Sequence, residues 1–170
     1  MTRPRQFRSI VLSLLLLPPT LAGTADEALI VKGEVKTPLK LTLADLKALP
    51  LAQATIQERG KGVVYGGVGV DELLRRAGVP GGEASRGDAN AVSVVVTGAD
   101  GYQAVFALPE LSAVATNARV VLAYSRDGAA LDAASGPLHL IAPAEKRRGR
   151  WVRNVKQLEL IPGGKPSRPR

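Results

Sequence analysis

From residue 26 to residue 162 the chain is cut into short apolar runs, most of them halted by glycine, proline or an Asp-Gly pair before they attain ordinary helix length. Asp100-Gly101 and Asp127-Gly128 are the clearest marks, because a tight hairpin turn needs positive φ, which glycine adopts freely and aspartate tolerates. Strands are expected at residues 91–97 and 102–108 around the first, and at 120–125 and 129–131 around the second. Residues 51–58 and 62–68 flank Arg59-Gly60-Lys61 as a further hairpin, and 29–35 with 39–41 form a strand pair. Strands at 138–142 and 151–161 complete the set.

Helical signals are few. Thr42 with Asp45 three residues on makes a capping-box-like start, Leu43, Leu46 and Leu49 share a face, and Pro50 stops the helix. Residues 71–77 carry Asp71 and Glu72 in the first turn, Arg75 and Arg76 in the last, and Gly78 as the stop, matching the helix dipole at both ends. Residues 109–112 suit one helical turn, and 80–90 read as a glycine-rich loop. Many short strands with two or three short helices at irregular spacing imply a single α+β domain of mixed sheets, not a regular βαβ array.

The N-terminus has the form of an export signal: Arg3, Arg5 and Arg8, an apolar stretch at residues 10–17, then small residues at Ala22 and Ala25. Cleavage after Ala22 or Ala25 is expected, which leaves a mature chain of about 145 residues, enough for one core without disulfides. The expected location is therefore periplasmic or secreted, with no stable membrane insertion after cleavage. The net charge of +8 is mostly terminal, since residues 26–162 hold 17 basic and 15 acidic side chains. With that balance and 4% aromatic residues, a nucleic-acid surface is not expected. Residues 163–170 read as a disordered basic tail.

Four pieces in order carry a family resemblance: LTLADLKALP at 41–50, YGGVGVDELLRRAGV at 65–79, VTGADGYQAVFALPEL at 96–111, and VLAYSRDGAALDAASGPLHLIAP through RWVRNVKQLEL at 121–160. Together they resemble the oxidoreductase molybdopterin-binding domain, the central domain of sulfite oxidases. The resemblance implies the sulfite oxidase fold and, in the family, molybdenum held by a pterin dithiolene and one protein cysteine. This chain has no cysteine, and residues 51–64, where the family carries it in a longer segment, form only a compact hairpin. Tyr65 stands where a tryptophan is common. The leader lacks adjacent arginines, so it looks like a general secretory signal, a route that threads an unfolded chain unable to retain a preloaded pterin.

Candidate site residues follow from the same comparison. Arg147, Arg148, Arg150 and Arg153 with Lys146 and Lys156 form the densest charge cluster, and near Arg150 and Arg153 the family binds the pterin phosphate. Paired guanidiniums suit phosphate, while a solvated basic strand edge is the plainer reading. Tyr102 aligns with a tyrosine that approaches the substrate oxyanion, or else packs its ring and leaves its hydroxyl in water. His139, the single histidine, stands where the family often has arginine; alone it makes no ordinary transition-metal site, and a hydrogen-bonded structural role is the alternative. A hydrolase built on Ser125 or Ser135 with His139 lacks a nucleophile-elbow pattern. Gly66 to Gly69 lacks the lysine of a phosphate loop, and Trp151 is expected to anchor the last strands.

The expected function is therefore a cofactor-free binding or interaction module for a small anionic ligand or an exported protein partner. Its anion or pterin candidates are Tyr102, His139, Arg148, Arg150 and Arg153, with no metal ligand. The alternative is a molybdopterin-dependent oxidoreductase without the thiolate.

Overall fold

The computed structural model describes residues 27–79, 92–111 and 119–163. The leader, the glycine-rich stretch at 80–90 and tail residues 164–170 lie outside the described residues. Two five-stranded sheets sandwich one apolar core. The first has the order β2 (Leu39–Thr42), β1 (Glu27–Gly33), β10 (Val155–Pro162), β5 (Val92–Gly98) and β6 (Gln103–Ala107). The second runs β3 (Leu51–Glu58), β4 (Lys61–Gly69), β7 (Val121–Arg126) and β8 (Ala129–Ala130), with β9 (His139–Ile141) also paired to β7. Only β1 and β10 pair in parallel, so the α+β expectation holds and no βαβ array is present among the described residues.

Period-two burial builds the sandwich. On β5, Val94 and Val96 point inward, and across the ladder they face Phe106 and Ala104 of β6 and Leu160 and Leu158 of β10, all buried. Helix α1 (Leu43–Lys47) starts with the full capping box: Asp45 N–H donates to Thr42 Oγ1 at 3.1 Å, and Thr42 N–H donates to Asp45 at 2.9 Å. It buries Leu46. Helix α2 (Val70–Arg76) buries Val70, Leu73 and Leu74 and stops at Gly78, whose φ of 77° is left-handed.

Most boundaries fall within two residues of expectation, and two segments differ in extent or kind. The last strand begins at Val155, not residue 151, because Trp151 to Asn154 form a separate crossing segment. There Asn154 has φ 47°, Leu140 N–H donates to the Val152 carbonyl, and the Trp151 indole N–H donates to Ala142 O at 3.0 Å. The helical turn near residue 109 is a 3-10 turn, Leu108–Leu111, that buries both its leucines.

Candidate anion site

The β3–β4 hairpin turns through Arg59 and Gly60, both at positive φ (49° and 80°), so the strands stay in register from Leu51 opposite Val68 to Glu58 opposite Lys61. Period two then places Ala54, Ile56 and Glu58 on one face with Tyr65, Val63 and Lys61 opposite them. Strand β7 pairs with β4 so that Arg126 lies opposite Tyr65, and Asp127 Oδ1 accepts from Val64 N–H at 2.9 Å. The apolar end of this face is core. Its polar end overhangs the core and, with Arg148 from the 3-10 turn Arg148–Arg150, forms an open depression of ≈ 560 Å³. Glu58, Arg59, Lys61, Val63, Arg126, Asp127 and Arg148 line it.

Glu58 is the hub. Its Oε1 accepts from the Tyr65 hydroxyl at 2.9 Å and pairs with Arg148 Nη1 at 3.1 Å, while its Oε2 accepts from Arg126 Nη2 at 2.7 Å. Aromatic faces fix both guanidiniums: Arg148 lies 4.8 Å from the Trp151 ring centroid and Arg126 5.8 Å from that of Tyr65. Burial, then the hydrogen bond to Glu58, raises the Tyr65 phenol above its ordinary pKa, so the hydroxyl remains a donor at physiological pH. Arg59 and Lys61 have no carboxylate partner among the described residues, and the lining as a whole carries four cations against two carboxylates.

Beneath this network Tyr65, His139 and Trp151 meet edge to face, with centroids 6.0–6.2 Å apart. His139 is 7% exposed and its Nδ1 has no hydrogen-bond partner, which overturns the expectation of a hydrogen-bonded structural histidine. Burial first, and the nearby charge of Arg153 second, lower its pKa to about 4, so the imidazole is neutral at physiological pH. A Ser-His-Asp arrangement needs a carboxylate on Nδ1, and none is there; Ser125 instead donates to Gly66 O at 3.1 Å.

The structure separates the basic cluster read from the sequence. Arg148 enters the depression and Arg153 sits close enough to His139 to influence its titration. Arg150 turns away to Glu110, at 3.2 Å, and to Glu145, with its guanidinium 4.5 Å from the Phe106 centroid. That pairing holds the Glu110 carboxyl below its ordinary range. Tyr102 is not a free donor, since its hydroxyl donates to the Gly149 carbonyl, and the side chain is 49% exposed. Sequence reading missed Glu58, Arg59, Lys61 and Arg126. The available signal was the hairpin's alternation, which carries the inward face of β3 through Ala54 and Ile56 to Glu58.

This fold and site define a molybdopterin-domain scaffold. The model of the family described as "Oxidoreductase molybdopterin binding domain" matches residues 18–167, and the chain belongs to that family. Among solved structures it is similar to the sulfane dehydrogenase SoxCD from Paracoccus pantotrophus, at 23% identity and a TM-score of 0.63, which supports the sulfite-oxidase-type fold. The match covers 80% of this chain but only 38% of that one. No curated protein matches the chain.

The residues do not fit a molybdenum centre held by the protein. There is no thiolate, the β3–β4 hairpin is closed in register where the family carries its cysteine, and among the described residues no three His, Cys, Asp or Glu are grouped to hold a metal. The buried Nδ1 of His139 belongs to a ring held in the aromatic cluster with Tyr65 and Trp151.

Proposed function

We propose that this domain is an exported binding module that uses the molybdopterin-domain scaffold without the cofactor and holds an anionic ligand in the β3–β4 depression. The observation carrying the reading is the excess of cations there: Arg59, Lys61, Arg126 and Arg148 face only Glu58 and Asp127. Backbone register and ring stacking fix two of the guanidiniums before any ligand arrives, which lowers the ordering cost of binding. Concavity and convergent polar groups are the usual marks of a small-ligand site. The export signal at the N-terminus supports a periplasmic or secreted location, and among the described residues no helix is long and apolar enough to cross a membrane.

Thermal unfolding in a panel of anions at matched ionic strength tests this reading. Selective stabilisation by some anions, lost in Arg126→Ala and Lys61→Ala, is expected; identical melting in every salt would overturn it. The competing reading, a molybdopterin-dependent oxidoreductase without the thiolate, rests on family membership. Stoichiometric molybdenum and pterin in protein purified from its native compartment would establish it and displace the cofactor-free account.

A further inference from the structure

The depression already contains a negative group seated on its arginines. Glu58 gives one oxygen to Arg126 and the other to Arg148, the arrangement in which a bound carboxylate bridges two guanidiniums. It is held there by Tyr65 and by its place at the end of β3, and its side chain is only 15% exposed. Arg126 uses Nη2 alone and Arg148 uses Nη1 alone in these contacts, so their other guanidinium nitrogens have no acceptor among the described residues. Asp127 is engaged by the Val64 amide.

We infer that Glu58 is a tethered competitor: it occupies the two arginines that an incoming anion needs and holds affinity down, so that the depression takes up a ligand with two negative charges in preference to one with a single charge. This rests on the anion-binding reading above. Four cations less Glu58 and Asp127 leave two uncompensated positive charges, which a dianion neutralises. A monoanion neutralises only one of the two and gains about half as much, while Glu58 repels either ligand in proportion to its charge. Glu58 therefore tunes how strongly an anion is held, most of all a dianion, and contributes no chemistry. The shared ligand chemistry is a doubly charged oxygen anion, whether both charges sit on one centre or on two carboxylates.

The test is calorimetric titration of the full mature chain, in mildly alkaline buffer at constant ionic strength. Sulfate, hydrogen phosphate and malonate serve as dianions, with nitrate, formate and acetate as monoanions. Wild type is expected to bind at least one dianion and to bind monoanions about tenfold or more weakly. Glu58→Gln, which keeps the shape and removes the charge, is expected to tighten dianion binding by about tenfold or more and monoanion binding by less, so that the preference widens. Glu58→Asp retains the charge and is expected to retain the wild-type affinities, which separates charge from packing should the glutamine variant fold poorly. Sulfate binding without malonate places both charges on one centre, and the reverse places them on two carboxylates; either supports the inference. Dianion binding by wild type with the same affinity in a folded Glu58→Gln variant would sink the role of Glu58 alone. No saturable binding of any anion by any variant would remove the anion site with it.

Discussion

His139 is a neutral base in an apolar setting, and its energetics have a definite sign. Its folded pKa of about 4 lies below the ordinary 6.5, so it contributes stability that is complete above the unfolded value and is lost as pH falls through the folded one. The full shift corresponds to roughly 3 kcal/mol. Most carboxylates remain ionised down to about pH 5, so the interval between pH 7 and pH 5 isolates the histidine. Urea unfolding should show wild type losing on the order of 1–2 kcal/mol across that interval, and His139→Leu losing much less; equal losses would assign the dependence to other groups. Arg150 illustrates the opposite case, a cation whose partners are internal. Removing it strands Glu110 and Glu145 beside one another and uncovers Phe106, so Arg150→Ala should cost about 1–2 kcal/mol in urea unfolding while leaving anion affinity unchanged. A fall in affinity with unchanged stability would return Arg150 to the site.

At the scale of elements, the site depends on the contact between β4 and β7, since that pairing sets Arg126 beside Tyr65. The strands come close at Gly67, where an added Cβ would lie 2.1 Å from the Leu122 carbonyl oxygen and 2.6 Å from Ala123 Cα. Both obstacles are backbone and cannot rotate away. Gly67→Ala should therefore destabilise by about 1–3 kcal/mol and weaken anion binding by displacing Arg126, even though Gly67 does not line the depression. Unfolding with chemical denaturant and titration of the same variant check both effects, and unimpaired values for both would contradict the dependence on this pairing. Elements were the most legible part of the sequence because their signals are local. The Thr42–Asp45 box fixes a backbone conformation through its own side chains, and Gly78 and the Asp127-Gly128 turn do so through the positive φ they adopt. The start of β10 was misplaced because Trp151 and Val152 are apolar and extended, while what breaks the strand is the left-handed Asn154 and bonding to residues 135–142, which no local pattern encodes.

For the whole molecule, the family and the fold were readable from ordered motifs covering most of the domain, whereas the site was readable only in part. Arg148, Arg150 and Arg153 stand close together in sequence, yet each meets a different environment, and the 3-10 turn Arg148–Arg150 points the first two in different directions. Conversely, Glu58 and Arg126 are 68 residues apart and meet at 2.7 Å, a contact that exists only once β7 is laid against β4. Family membership fixes the scaffold, the chain has no cysteine, and the proposed anion site rests on what this chain itself places on that scaffold. The central claim is that an anion binds at the β3–β4 depression. Titration of isotope-labelled protein with sulfate, followed by amide chemical shifts, tests it most directly. Saturable changes concentrated at residues 58–64, 126–127 and 148–151 are predicted; saturable changes confined to other parts of the fold, or none beyond those of a matched chloride titration, would contradict it.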